Sequence, residues 1–123
     1  MSEALLITGT RGFIGRHLSA AAQAEGREVL TLDRARLDLA EASDQALQAA
    51  IPARATVMHC AGLAHEAAQG ARGSPQVLRA FNGELTARLY RAAARADAAR
   101  FIWLSSAKVL GEVSRAPLPV TAP

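Results

Sequence analysis

Three glycines at a spacing of three, Gly9, Gly12 and Gly15, sit between an apolar run (Ala4 to Thr8, ALLIT) and a stretch with helical periodicity (Phe13 to Ala24). No other feature constrains the fold as tightly. A helix N-terminus presents unpaired N–H groups and about half a positive charge, so it attracts phosphate. A diphosphate reaches that backbone only if side chains are out of its way. Gly9 would turn the chain out of the strand, Gly12 would remove a Cβ from the path of the phosphates, and Gly15 would let the helix pack close. Phe13 and Ile14 are expected to fill the space beneath the loop. The spacing alone means no more than a flexible turn. The strand before it, the helix after it and Asp33, 18 positions past Gly15 at the end of the next apolar run, supply the context of a dinucleotide site.

Asp33 is placed to accept hydrogen bonds from the adenosine ribose, and its carboxylate repels a 2′-phosphate, which favours NAD. Arg11, Arg34 and Arg36 could pair with such a phosphate and keep NADP open.

The remaining pattern alternates. Glu28 to Leu32 (EVLTL) reads as a second strand, Leu37 to Leu39 as a very short third, and Glu41 to Ala50 as a helix closed by Pro52. Thr56 to Ala61 (TVMHCA) reads as a buried strand, followed by a loop rich in Gly, Ala and Ser up to Ser74. Pro75 suits a first helical position, and the helix it opens runs to about Ala96. Leu78, Phe81, Leu85, Leu89 and Ala93 mark its buried stripe, and Glu84 and Arg88 are spaced for an ion pair. Phe101 to Ser105 (FIWLS) is the last clear strand. Strands alternating with helices imply an α/β fold, a doubly wound parallel sheet of Rossmann type. Asp33 and Asp38 are too close for a helical crossover, so the helix between the second and third strands is expected to be missing.

Composition narrows the function classes. The chain has 123 residues, one domain by length. Its net charge is +3, but the 14 basic residues lie singly, without the cluster a nucleic acid would need. The single cysteine, Cys60, excludes an internal disulfide, and its apolar surroundings suit a small buried hydrophobe. No apolar stretch reaches the roughly 18 residues of a membrane span, and no cleavable leader is visible, so no membrane partner and a cytoplasmic setting are expected. His17 reads as a surface residue and His59 as a satisfied core residue. His65 lies in the loop after its strand, where a substrate contact is conceivable. None has a partner at metal-ligand spacing, and no metal is expected.

In order along the chain, TGTRGFIG (Thr8 to Gly15), Asp33, LDL (Leu37 to Leu39), VMHCAGLAH (Val57 to His65), NGELT (Asn82 to Thr86) and FIWLSSAKVLGE (Phe101 to Glu112) resemble the extended short-chain dehydrogenase/reductases, the epimerase/dehydratase group that acts mostly on nucleotide sugars. The resemblance implies that Asp38 and Leu39 meet the adenine and that Cys60, Ala61, Gly62 and Leu63 run beside the ribose and nicotinamide. It also implies that Asn82 lies near the cofactor. Asn82 and Gly83 are independently unusual, being poor helix formers in mid-helix. Ser106 would be the catalytic hydroxyl that orients the sugar's C4 oxygen, and Lys108 either faces substrate or is a solvated loop cation. LAH followed by SSAKVLGE is similar to bacterial nucleotide-sugar 4-ketoreductases of surface-polysaccharide synthesis, and the short link from Asp33 to LDL is similar to dTDP-4-dehydrorhamnose reductases. Epimerases and dehydratases of the same family remain the alternative, as does a dinucleotide-binding module without catalysis.

The family's Tyr-x-x-x-Lys is absent: Tyr90, the only tyrosine, is followed by Ala94. The chain therefore resembles an amino-terminal half, with residues 1–112 a partial NAD(P)-binding domain cut after about the fifth strand and 113–123 a loose tail. An apolar patch near the last strand, and self-association through that sheet face, are expected.

Overall fold

The computed structural model describes residues 3–63, 74–106 and 116. His65, Lys108 and, apart from Ala116, the 113–123 tail lie outside the described residues.

Four strands, β1 (Leu5–Thr8), β2 (Val29–Leu32), β3 (Thr56–His59) and β4 (Arg100–Trp103), form one sheet in the order β2-β1-β3-β4, every pairing parallel. β1 is central and buried along its whole length, as a strand covered on both faces must be. Its side chains divide between the faces. Leu6 joins Leu32, Val57, Leu47, Leu85 and Leu89, while Leu5 and Ile7 join Ala22. Helix α1 (Phe13–Ala24) covers the second face, and α2 (Asp44–Ala49) and α4 (Leu85–Arg95) cover the first. Each Leu removed from water contributes about 1.5–3 kcal/mol before conformational entropy opposes it. The class is Rossmann-like, as the alternation implied.

The LDL segment is not a third strand. The amides of Arg36 and Leu37 bond the Asp33 carbonyl, those of Glu41 and Ala42 bond the Asp38 carbonyl, and the Ala40 amide bonds Asp38 Oδ1 at 3.0 Å. Amides committed to successive turns cannot enter a ladder. Leu39 is nevertheless buried and Leu37 packs beside it, so the apolar alternation reports core contact in a turn. β2 is thus an edge strand, and α2 is the connection from β2 to the next strand.

The same turns shorten α2. It begins at Asp44 rather than Glu41 because Ser43 is the cap, its Oγ accepting from the Ala46 amide at 3.1 Å. Ser74 does likewise for α3 (Pro75–Arg79), which continues through a π-helical turn, Ala80–Glu84, into α4. The wide turn contains Asn82 and Gly83, and it closes with the Leu85 amide bonded five residues back to Ala80. Arg88 does not pair with Glu84. Its guanidinium reaches Asp44 Oδ1 at 2.8 Å and the Ala42 carbonyl at 2.6 Å, because α4 packs on α2. That contact holds the Asp44 carboxyl below its usual range.

β4 ends at Trp103, so Ser105 and Ser106 follow the strand rather than alternate within it. Around it Tyr90, Ile102, Trp103 and Leu104 are exposed, Tyr90 edge-on to Phe101 at 5.5 Å. This is the apolar patch expected there.

Candidate functional site

Because the four strands among the described residues are all parallel, their carboxyl ends point to one edge, where open α/β sheets bind ligands. The chain leaves β1 there through Gly9, whose φ of +70° lies in the left-handed region that favours glycine. A Cβ on Gly9 would lie 2.5 Å from the Ala61 nitrogen, and one on Gly15 would fall on the Gly9 carbonyl. These two glycines let the turn, the first helix and the end of β3 close on one another. Gly12 differs: its Cβ would meet only the Gly9 oxygen, at 3.3 Å, and otherwise enter open space. Gly12 is also the N-cap of α1, and no side chain caps that helix. Serine side chains take one first-turn amide each in α2 and α3, whereas no side chain takes the first-turn amides of α1.

Phe13 and Ile14 do not fill the space beneath the loop. They are 74% and 54% exposed. The inward face of α1 is set by Gly15 and Ala22, which turns Phe13 outward to lie against His17 with ring centroids 4.6 Å apart. His17 is exposed and bonds the Phe13 carbonyl through Nδ1.

Across the opening, Gly9, Arg11, Asp33, Arg34, Asp38, Leu39 and Ala61 line one cleft of about 140 Å³, joined by Thr10, Leu32, Leu37 and Phe81. Asp33 Oδ1 accepts from the amides of Ala35 (3.1 Å) and Arg36 (3.2 Å), which fixes the carboxylate at the end of β2. Arg34 faces Asp38 at 3.8 Å, and Arg36 reaches the Thr31 carbonyl at 3.4 Å. Arg11 makes no ion pair among the described residues. Phe81, read from sequence as part of the helix's buried stripe, packs against the core and is also a wall of the cleft. Ser106 lies at the same sheet edge but does not line this cleft.

Beneath the opening runs a buried polar circuit. Thr8 Oγ1 accepts from the amides of Cys60 and Ala61, both at 3.1 Å. Those bonds occupy both lone pairs, so the Thr8 proton goes to His59 Nδ1 at 2.7 Å. The imidazole proton is therefore on Nε2 and is donated to Thr86 Oγ1 at 3.0 Å. Thr86 in turn donates to the Asn82 carbonyl at 2.8 Å. The Asn82 amide accepts from the Leu63 N–H (2.8 Å) and donates to the Leu63 carbonyl (2.9 Å). His59 is thus the satisfied core residue expected, and burial pushes its pKa down to about 4. Cys60 is partly buried, and burial pushes its thiol up, away from the thiolate a nucleophile needs. Gly62 is exposed beside Asn82 Oδ1. The sequence pointed to Asn82 and Gly83 but not to Thr8 or Thr86, whose signal is only a threonine facing a histidine across the sheet.

Comparison with known proteins settles the family. The model of the NAD dependent epimerase/dehydratase family matches residues 5–122. The chain belongs to that family. A dTDP-4-dehydrorhamnose reductase of Mycobacterium tuberculosis (strain CDC 1551 / Oshkosh) is 36% identical over 105 residues, 85% of this chain and 33% of that protein. The chain therefore spans about a third of the length of that relative. Among solved structures, a short-chain dehydrogenase/reductase superfamily protein from Agrobacterium tumefaciens with bound NAD superposes with a TM-score of 0.79 at 30% identity, covering 98% of this chain and 38% of that one. MoeE5 in complex with UDP-glucose and NAD gives 0.75 at 28%, covering 89% and 38%. Among the described residues no helix is long and apolar enough to cross a membrane, and no group of three His, Cys, Asp or Glu could hold a metal ion.

Proposed function

We propose that this chain is the coenzyme-binding part of an NAD-dependent nucleotide-sugar oxidoreductase, one that reduces a 4-keto sugar, and that its 123 residues hold the coenzyme without turning it over alone. The observation that carries this is the turn that leads into α1, a twelve-residue helix with Gly12 as N-cap and no side-chain cap: Gly9, Thr10 and Arg11 of that turn line one cleft with Asp33. The residues fit the coenzyme. Backbone amides at the start of α1 would hold the diphosphate, with Arg11 at the rim, and the second Asp33 oxygen would accept from the adenosine ribose. Arg34 and Arg36 are turned to Asp38 and to the Thr31 carbonyl, which supports NAD over NADP. The solved relatives, bound to NAD in two cases and to NADPH in another, support a nicotinamide coenzyme without choosing between the two, and the reductase relative supports 4-keto reduction.

When bound, the coenzyme supplies a hydride to the sugar's carbonyl carbon. Ser106 would hydrogen-bond the carbonyl oxygen and hold it in place, and Lys108 and His65 are the further substrate contacts proposed. The proton for that oxygen needs a donor of matched pKa. Tyr90 does not supply it, since its ring lies against Phe101 and Ala94 stands where the partner lysine would be. In this reading a Tyr-x-x-x-Lys from further sequence completes the site.

Titration with NADH and NADPH, followed by coenzyme fluorescence, is the test. NADH should bind at least tenfold more tightly. Binding of NADPH alone would overturn the role of Asp33, and binding of neither would overturn the reading as a whole. Oxidation of NADH by these 123 residues with a dTDP-4-keto sugar would show that no further donor is needed.

A further inference from the structure

We propose that His59 is a positioning residue for the coenzyme cleft: through Thr8 on one side and Thr86 on the other, it holds the 60–63 segment in register with the glycine turn. The proposal rests on the coenzyme reading for its consequence, though not for its geometry.

The 60–63 segment belongs to no strand or helix, yet its Ala61 forms part of the wall of the opening. Gly9 packs so closely on Ala61 that not even a methyl group fits between them, and Ala61 lines the cleft. The segment is tied at both ends by single side chains. Thr8 holds the amides of Cys60 and Ala61, and Asn82 clamps the amide and carbonyl of Leu63. These ties come from different elements, β1 and the π turn, which make no direct polar contact with each other among the described residues. His59 joins them. Its ring spans from Thr8 Oγ1 to Thr86 Oγ1, and Thr86 bonds the carbonyl of Asn82 itself.

The direction of each bond matters. With both Thr8 lone pairs taken by amides, its buried proton needs an acceptor, and His59 Nδ1 is that acceptor. Thr86 can donate to the Asn82 carbonyl while accepting from Nε2–H. Loss of either His59 bond leaves a buried Thr8 proton without an acceptor or a Thr86 lone pair without a donor, and the cost loosens the hydroxyl that fixes the segment. The π turn is part of the same device. It displaces the helix so that the Asn82 amide reaches the loop, and π turns occur often at functional sites.

The test uses the whole 123-residue chain. Thr86→Val keeps the shape and deletes the hydroxyl, and Thr86→Ser keeps the hydroxyl. Amide hydrogen exchange is followed at Cys60, Ala61 and Leu63, with Ile7 and Val57 as core references, alongside NADH affinity. The Val variant should speed exchange at the three loop amides at least tenfold relative to the references and weaken NADH about tenfold. The Ser variant should restore both. Exchange at the loop amides within twofold of the parent, equal acceleration at Ile7, or failure of Ser to restore would each overturn the proposal. Should the Val variant not fold, His59→Gln gives the same reading, because its amide oxygen and nitrogen can replace the Nδ1 acceptor and the Nε2 donor, and retained loop protection is expected. Loss of that protection with the core intact would overturn the proposal. If the parent fails to bind NADH, the coenzyme reading falls while the exchange measurements still decide the role of His59.

Discussion

The mouth of α1 and the circuit beneath it adjoin the same turn, yet they are built on opposite plans. In the mouth, amides are left without side-chain partners behind a glycine that leaves the space before them open. In the circuit every hydroxyl, ring nitrogen and amide has a partner, and no buried side-chain nitrogen or oxygen among the described residues lacks one. Unpaired polar groups are tolerable where water or a ligand can reach them and costly where neither can. The difference separates what binds from what holds the binder in shape.

Four substitutions or conditions would break or sharpen that contrast. The largest effect is expected for Gly15→Ala, whose methyl group would fall on the Gly9 carbonyl. Backbone must move, which we expect to cost about 3 kcal/mol or more, measurable as a collapse of the thermal transition. Next is acid. With the His59 pKa lowered from 6.5 to about 4 by burial, the unfolded chain binds the proton first. Stability is therefore unaffected above pH 6.5, falls as pH drops from 6.5 to 4, and is flat below for this group. The groups facing the ring are Thr8, Thr86 and Phe101, none of them charged. The full loss is about 3 kcal/mol, and denaturant titrations of the parent against His59→Gln across that window would isolate it.

Smaller effects follow at the mouth. Gly12 has extended backbone (φ −79°, ψ 170°), which serine adopts readily. Gly12→Ser should leave folding within about 1 kcal/mol of the parent, since the new hydroxyl can cap α1. It should weaken NADH more than tenfold, because that hydroxyl occupies the place of the phosphate. A variant that is destabilised but still binds would erase the distinction between the two regions. Ser43→Ala is the smallest, removing the α2 cap at a cost of about 1 kcal/mol with no change in NADH affinity. Urea melts and a coenzyme titration on the same sample check both halves.

How much of this was legible depended on the range of each interaction. The glycine turn was readable because its conformations are local: Gly9 turns the chain out of β1 and Gly15 lets α1 pack close, as their spacing suggested. Pro75 placed a helix start correctly, and Ser74 before it supplies the cap. Leu37 and Leu39 misled because alternation is shared by strands and by turns that point two residues at a core. The Asp38 side chain bonding the Ala40 amide decided between them. Phe13 and Ile14 were misplaced because adjacency to the loop outweighed helical phase, although Gly15 and Ala22 already marked the inner face. Glu84 lost Arg88 to Asp44, a residue 44 positions away. The partners of His59 lie 51 and 27 residues off, beyond any local pattern, so its burial could be read but not its connections. Asn82 and Gly83 announced a defect in the helix without revealing that it was a π turn.

Trp103, the only indole in the chain, stands 51% exposed on the outermost strand β4. Its emission is a built-in probe of that edge. Light from a wetted indole is red-shifted, and any segment or second copy that laid itself along β4 would move the maximum to the blue. The same molecule therefore carries a cleft at the carboxyl ends of its strands and, along β4, an optical reporter of whatever docks there.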